Sequence, residues 1–495
     1  MDKGPNITIL KSLIVYKEES IKVAMKKITE NGLGTIIVLD KNKKICGIVT
    51  DGDIRRAILK GEDIGADIFK ITNKNPLMIR KDKIGNDLIS EINQESFRGE
   101  IRKRGLNFDF VGNIMIPIAN KEGRLRNVIN VYKDGQRLNY KKLDKRKLQE
   151  HSVKRVLVIG GAGYLGSVLS RELLKRNYSV RVLDNLTYGN IGLKELYKEK
   201  KFEFFEGDMR SIENIVDAIK DADAVIHLGA LVGDPASAIT PQKTLEINHH
   251  STKMIAEVCK YHQINRFIFA STASVYGRSL KPGEALTEDS DLNPVSLYAR
   301  TKIESEKALL ESMDENFSPT ILRMATLFGY SPRMRFDLVV NILSAKGYFK
   351  KEIPIFGGEQ YRPLVHVKDA ANAYIKCLEA PIKKIRGEIF NIGSNRLNYK
   401  ISDLGMEIKK IIPDATINIQ KEDEDQRSYY VNFNKINEIL KYKPKYSVAD
   451  GIKELVSKFM KGDFGNYADE SYSNYKSLIS QSNLSIREKR NENNR

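Results

Sequence analysis

KRVLVIGGAGYLGSVLSRELLKR, residues 154–176, reads as strand, turn and helix in that order. Arg155–Ile159 is a short apolar run, and Leu165, Leu169 and Leu173 fall on one face of the helix that follows. Between them stand Gly160, Gly163 and Gly166. Glycine there allows a tight turn, close backbone approach to a diphosphate, and close helix–strand packing. A lone glycine pattern is weak, but one set between a strand and a helix is specific. The next strand, SVRVLD, ends in Asp184, 18 residues past Gly166. A carboxylate there accepts hydrogen bonds from the adenosine ribose and repels an added phosphate, which predicts NAD over NADP.

Three regions separate on either side of this motif. From Lys154 onward strands and helices alternate, which predicts a parallel α/β sheet over 154–460. Residues 1–132 carry short strand and helix signals, with an internal repeat of two strand–turn–strand units. The first is TIIVLD, KNKK, CGIVT and the second IPIAN, KEGR, LRNVINVY. After the first, TDGDIRRAIL opens a helix with Asp51 or Asp53 near its N-cap. Residues 133–153, KDGQRLNYKKLDKRKLQEHSV, are basic and lack a sustained apolar face, so a linker or solvated helix is expected. Residues 461–495 form a polar tail expected either to wrap the surface or to be partly disordered near its end.

Composition sets outer limits. A chain of 495 residues implies two or three domains, and 41% hydrophobic residues can bury sizeable cores. The net charge of +18 is spread along the chain without a nucleic-acid motif, so no nucleic-acid partner is expected. Cys46, Cys259 and Cys377 lie far apart in apolar contexts, which excludes a disulfide framework and predicts buried thiols. No apolar run approaches the roughly 18 residues of a membrane span. The start, MDKGPNITIL, lacks the layout of a signal peptide, so a cytoplasmic location is expected. His227, His249, His250 and His366 have no ligand spacing, and no metal is expected.

RFIFASTASVYG, residues 266–277, is a buried strand ending in hydroxyls, and SLYARTK, residues 296–302, follows. Tyr298 and Lys302, four apart, share a helical face. A free tyrosine, with a pKa of about 10, is a poor base at neutral pH. A neighbouring ammonium and a nicotinium charge favour its phenolate.

Together, the glycine turn with one extra residue, Asp184, the hydroxyl-ended strand and the Tyr-x-x-x-Lys pair resemble the extended short-chain dehydrogenases, NAD-dependent sugar-nucleotide epimerases and dehydratases. The resemblance spans about 300 residues. It implies an α/β, Rossmann-type doubly wound parallel sheet with a smaller C-terminal substrate-binding part, and a homodimer. Implied cofactor contacts are Gly160, Gly163, Tyr164, Leu165, Gly166, Asp184, Asn185, Asp208, Met209, Leu228, Ala230, Asn248, Tyr298 and Lys302. Thr272 matches the catalytic Ser/Thr, which donates to the reacting sugar oxygen while Tyr298 takes its proton. Arg362 matches a residue that binds the nucleotide diphosphate, although Pro363 follows it where Asp is usual; Arg427 offers a second guanidinium.

Departures from the family narrow the chemistry. The Asp-Glu pair of 4,6-dehydratases is replaced by Ala273 and Ser274, and the glutamate of UDP-glucuronate decarboxylases is missing. Reversible hydride transfer at one carbon remains. The leading expectation is an NDP-hexose 4-epimerase in polysaccharide or glycan synthesis. A 4-ketoreductase of deoxysugar pathways and a non-catalytic NAD-sensing regulator are the alternatives. The asparagines of galactose-type epimerases near Thr326 and Asp337 are replaced, and the loops VGDPASA and SPRMRFDLVVN differ from that type.

GIVTDGDIRRAI resembles the signature of CBS domains, so 1–132 reads as an α+β tandem CBS pair with a degenerate second copy. The resemblance implies adenine-nucleotide binding, with Thr50 and Asp53 as the ligand residues.

Overall fold

The computed structural model describes residues 13–31, 34–80, 99, 103, 113–134, 137–142, 153–262, 264–278, 284–314, 317–420 and 427–480. Expectations for the first 12 residues, for 143–152 of the basic segment and for 481–495 of the tail lie outside the described residues. The chain divides into two compact units, Met1–Ser152 and Val153–Arg495.

In the first unit, β1 (Ile14–Tyr16), α1 (Ile21–Asn31), β2 (Thr35–Leu39), β3 (Ile45–Thr50) and α2 (Asp51–Leu59) follow one another. β2 pairs with β1 in parallel and with β3 antiparallel. The same order recurs in β4 (Ile79–Arg80), β5 (Asn113–Ala119) and β6 (Leu125–Asp134). A register shift lies at Val38/Leu39 in the first copy and at Ile118/Ala119 in the second. The two turns meet: Ile45 N–H donates to Gly123 O (3.0 Å) and Leu125 N–H to Lys43 O (3.1 Å). The repeat seen in the sequence is therefore a structural repeat. One expectation is corrected here. Part of the basic segment is a strand, β7 (Arg137–Lys142), paired antiparallel with β6. Its Asp134-Gly135 dipeptide is a hairpin signal, which outweighs the lysine-rich composition.

The second unit is built on seven parallel strands in the order β10-β9-β8-β11-β12-β13-β17. They are β8 (Arg155–Ile159), β9 (Ser179–Asp184), β10 (Phe202–Glu206), β11 (Ala224–His227), β12 (Arg266–Thr272), β13 (Ser318–Met324) and β17 (Ile389–Ile392). β11 and β13 are buried along their whole length, as strands covered by helices on both faces must be. The helices are α3 (Tyr164–Lys175), α4 (Ile212–Ile219), α5 (Asp234–Ile239), α6 (Pro241–Leu245), α7 (Ser251–Tyr261), α8 (Leu297–Glu311), α9 (Val339–Lys350) and α10 (Val367–Glu379). The chain reverses direction across the sheet between β8 and β11, the crevice where such sheets bind ligands.

A smaller part adds β14 (Thr326–Phe328), β16 (Tyr361–His366) and β18 (Asn398–Lys400) as one sheet, and β15 (Glu352–Phe356) with β19 (Thr416–Gln420) as a parallel pair. α11 (Ile401–Ile411), α12 (Asn434–Leu440) and α13 (Val448–Met460) complete it. Its own core gathers Phe328, Leu343, Ile353, Leu404 and Ile452.

Over its described residues the tail runs mostly along the surface, as expected, but it also sends anchoring side chains into the core. Phe464, Tyr467 and Leu478 are buried, and Phe336 packs edge-on against Phe464, Tyr467 and Tyr472. Scattered aromatics carry large buried area without any periodic pattern. Among the described residues, no helix is long and apolar enough to cross a membrane.

Candidate active site

The turn after β8 takes its shape from glycine. Gly160 has φ +79°, and a Cβ on it would lie 2.6 Å from the Gly229 nitrogen. A Cβ on Gly166 would lie 2.6 Å from Gly160 O. No side chain caps α3 at Gly163. Its first N–H groups therefore lack a protein partner of that kind and can serve a diphosphate. Asp184 ends β9 and accepts N–H bonds from Ala162 and Leu186, both 2.9 Å. Burial raises its carboxyl above the usual range, opposed by these two bonds and by Arg333. Each oxygen keeps acceptor capacity for a ribose hydroxyl. Beside it, Asp208 is gripped by Arg210 at 2.7 Å, which lowers its pKa.

A cavity of about 670 Å³ runs from this turn to the ends of β12 and α8. Gly160, Gly163, Tyr164, Leu165, Gly166, Asp184, Asn185, Asp208, Met209, Leu228 and Ala230 line it, as do Thr272, Tyr298, Lys302, Arg362 and Arg427. The parallel sheet brings the C-terminal ends of β8, β9, β11 and β12 to one edge, where the first turns of α3 and α8 meet them. Open turn glycines, an uncapped helix end and a ribose-side carboxylate suit a dinucleotide.

At the far end, the Tyr298 hydroxyl faces the cavity together with Thr272. Lys302, 1% exposed, donates to Ala270 O at 2.7 Å and lies 4.5 Å from the Phe269 ring centroid. Burial pushes Lys302 down to about 7, with Glu306 working the other way. The Tyr298 phenol is pushed up by burial and then by Asp234, while Arg335 and Thr272 pull it down. His227 beneath, pushed down to about 3 by burial and by Lys302, adds no charge. The protein groups alone therefore leave Tyr298 a phenol. The remaining activation has to come from a positive charge brought into the cavity.

Asn248 lies outside the cavity lining and acts on it indirectly. It sits on a single π-turn, Glu246–His250, between α6 and α7. Such turns interrupt a helix mostly at functional places. Its Oδ1 accepts from Leu231 N (2.8 Å), and its Nδ2 donates to Leu231 O (3.1 Å) and Thr301 Oγ1 (3.2 Å). It ties the loop after β11 to the helix that carries Tyr298.

Arg362 is buried and donates to Tyr361 O (2.8 Å) and to Arg427 O. Arg427 pairs with Asp234 of α5. Both predicted arginines thus reach the cavity, but Arg427 arrives already partnered by a carboxylate from the VGDPASA loop. Sequence reasoning missed several cavity residues. Arg333, Arg335 and Asp337 come from the SPRMRFD loop, and Asn474 and Tyr475 from the tail. The cluster of charges in that loop was the available signal. Among the described residues, no three His, Cys, Asp or Glu side chains gather as a metal site.

Thr50 and Asp53, in the first unit, form a reciprocal capping box on α2. Asp53 N–H donates to Thr50 Oγ1 (3.2 Å), and Thr50 N–H to Asp53 Oδ2 (2.9 Å). Asp53 Oδ1 is held by Arg56 at 2.7 Å.

Comparison with known proteins agrees with this geometry. The model of the NAD dependent epimerase/dehydratase family matches residues 156–393, and that of the CBS domain matches 7–60. A putative UDP-glucose 4-epimerase of Methanocaldococcus jannaschii is 31% identical over 312 residues, 61% of this chain and 97% of the relative. Among solved structures, the UDP-glucuronic acid 4-epimerase of Bacillus cereus, in complex with UDP-glucuronic acid and NAD, aligns with TM-score 0.57 and 28% identity over 62% of this chain and 99% of its own. The UDP-glucose 4-epimerase of Thermotoga maritima, with UDP-glucose, aligns with TM-score 0.56 and 27% identity over the same shares. Sheet order, glycine turn and sequence relationship converge: the chain belongs to the NAD dependent epimerase/dehydratase family and is an enzyme whose cofactor is NAD.

Proposed function

We propose that the second unit is a nucleoside-diphosphate-hexose 4-epimerase of the UDP-glucose 4-epimerase kind, working in glycan or polysaccharide synthesis. One observation carries this reading. The Thr272–Tyr298–Lys302 group closes the same cavity that the glycine turn opens, and Ala273 and Ser274 beside it supply no acid or base for elimination.

When bound, NAD supplies the hydride acceptor and the positive charge of its ring. The chain's own residues do the rest. Tyr298 takes the proton from the sugar hydroxyl at its phenolic oxygen and returns it later. Thr272 holds that sugar oxygen by a hydrogen bond. Lys302 keeps positive charge near the phenolate, with Ala270 O fixing its ammonium. Asn248 sets the position of α8. Gly160, Gly163, Tyr164, Leu165, Gly166, Asp184, Asn185, Asp208, Met209, Leu228 and Ala230 hold the dinucleotide. Arg362 and Arg427 hold the substrate diphosphate, with Asp234 orienting Arg427 until it arrives. A homodimer formed through α8 would bury the exposed charged stripe of Arg300, Glu304, Lys307 and Glu311.

The test is a panel of UDP- and dTDP-hexoses incubated with purified protein and no added cofactor, followed by NMR of the sugar anomeric region. Interconversion of a C4 epimer pair is expected. Net consumption of NADH with a 4-keto sugar would instead make the enzyme a ketoreductase.

In the first unit, Thr50 and Asp53 are the proposed contacts for an adenine nucleotide. Both are engaged in the cap, so the ligand has to share them. Acidic Asp51 and Asp53 in the first turn suit ribose hydroxyls better than phosphate. AMP or ATP is expected to raise the melting temperature of the full chain, and D53A to abolish that rise. D53A also removes the N3 half of the capping box, the bond from Thr50 N–H, and so lowers the stability of α2 by itself. The ligand-induced shift, not the melting temperature itself, is therefore the readout.

A further inference from the structure

Arg333 is a buried cation with bare donor atoms. It is 2% exposed, and its Nε and Nη2 have no hydrogen-bond partner among the described residues. Its guanidinium lies over the Tyr188 ring, 4.7 Å from the centroid. A guanidinium taken out of water without a counter-charge is costly. The nearby carboxylates are committed elsewhere. Asp337 is taken by Arg335 at 2.8 and 3.0 Å, and Asp184 by the N–H groups of Ala162 and Leu186. Burial and then Arg335 push Arg333 down to about 10, the direction expected of a cation waiting for an anion.

Its position indicates which anion. Arg333 lines the cofactor cavity. The Arg333 Cβ packs at Gly192, where an added Cβ would lie 3.2 Å from it and 2.7 Å from Ala162 O of the glycine turn. Ser331, two residues earlier, donates to Tyr164 O (2.7 Å) and bonds Ser167 Oγ (3.0 Å), both on the first turn of α3. The loop is thus anchored to the uncapped helix end. The tail holds it from outside: Phe336 N–H donates to Tyr472 O (2.8 Å), and Asn474 N–H to Asp337 Oδ2 (3.1 Å).

We propose that Arg333 is a ligand of the cofactor's diphosphate, closing over it from the substrate-side loop opposite the N–H groups of α3. The inference rests on the dinucleotide lying along the glycine turn, and not on which sugar is turned over. A bidentate guanidinium matches two phosphate oxygens and satisfies the nitrogens left bare.

The experiment is calorimetric titration of nucleotide-stripped full chain with NAD and, separately, with UDP. In R333M, the dissociation constant for NAD is expected to rise about 30-fold or more, with UDP affinity within a factor of about two. The ligand-free variant should melt no lower than the parent, because an uncompensated charge has been replaced by an apolar chain of similar length. If R333M fails to fold, R333Q carries the same expectation for NAD and UDP. Unchanged NAD affinity overturns the proposal. So does a selective loss of UDP affinity, which would assign Arg333 to the substrate's diphosphate. Failure of the parent chain to bind NAD at all would strike the cofactor reading instead, and the two outcomes are distinguishable.

Discussion

Y298F is expected to lower the rate of sugar epimerisation about 100- to 10,000-fold, the range that a positioned proton-transfer group contributes. The substitution removes one oxygen from a buried ring and leaves the ring itself in place. NAD content of the purified protein should therefore stay at the parental level, because the glycine turn, Asp184 and Arg333 are untouched. The paired measurement separates loss of proton transfer from loss of the site. Near-parental turnover in Y298F would remove Tyr298 from the chemistry. Loss of NAD would show that the phenol is needed to hold the cavity's shape.

R323M should cost about 3–5 kcal/mol of stability, the penalty for leaving a buried carboxylate without its partner. Arg323 on β13 and Glu306 on α8 are each 4% exposed and lie 2.8 Å apart. Arg323 also donates to Tyr276 Oη (3.1 Å) and to Glu288 O (3.0 Å), while the Ser271 hydroxyl donates to Glu306. This network fastens the helix bearing Tyr298 and Lys302 to the strand bearing Thr272. A fall in melting temperature on the order of 10 °C follows from that penalty for a unit of this size. The E306L/R323M double variant should recover much of the loss, because no charge is then stranded. A single variant within about 1 kcal/mol of the parent would contradict the assignment.

Much of the site was legible because its signals are local. The glycine turn, Asp184 and the Tyr298–Lys302 spacing each occupy one strand–helix junction or one helical face, and short-range geometry fixes their meaning. The two strand–turn–strand units of the first region were legible for the same reason. β7 was hidden because its lysine-rich composition masks the strand, and only the Asp134-Gly135 dipeptide marks the hairpin. The tail's buried anchors, Phe464, Tyr467 and Leu478, were not legible because each stands in a polar segment with no sustained apolar pattern around it.

Residue patterns along the chain were enough for the α/β class, the dinucleotide turn and the Thr272, Tyr298 and Lys302 group. Folding alone brought Asp234 to Arg427, 193 residues away, and Tyr164 to Gly329, 165 away. It also left Arg333 buried beside the glycine turn, its Nε and Nη2 without a hydrogen-bond partner among the described residues. A periodicity or a motif reports backbone geometry over a few residues. Whether a buried charge finds its partner depends on which distant elements the sheet order brings to the same edge, and no local pattern encodes that.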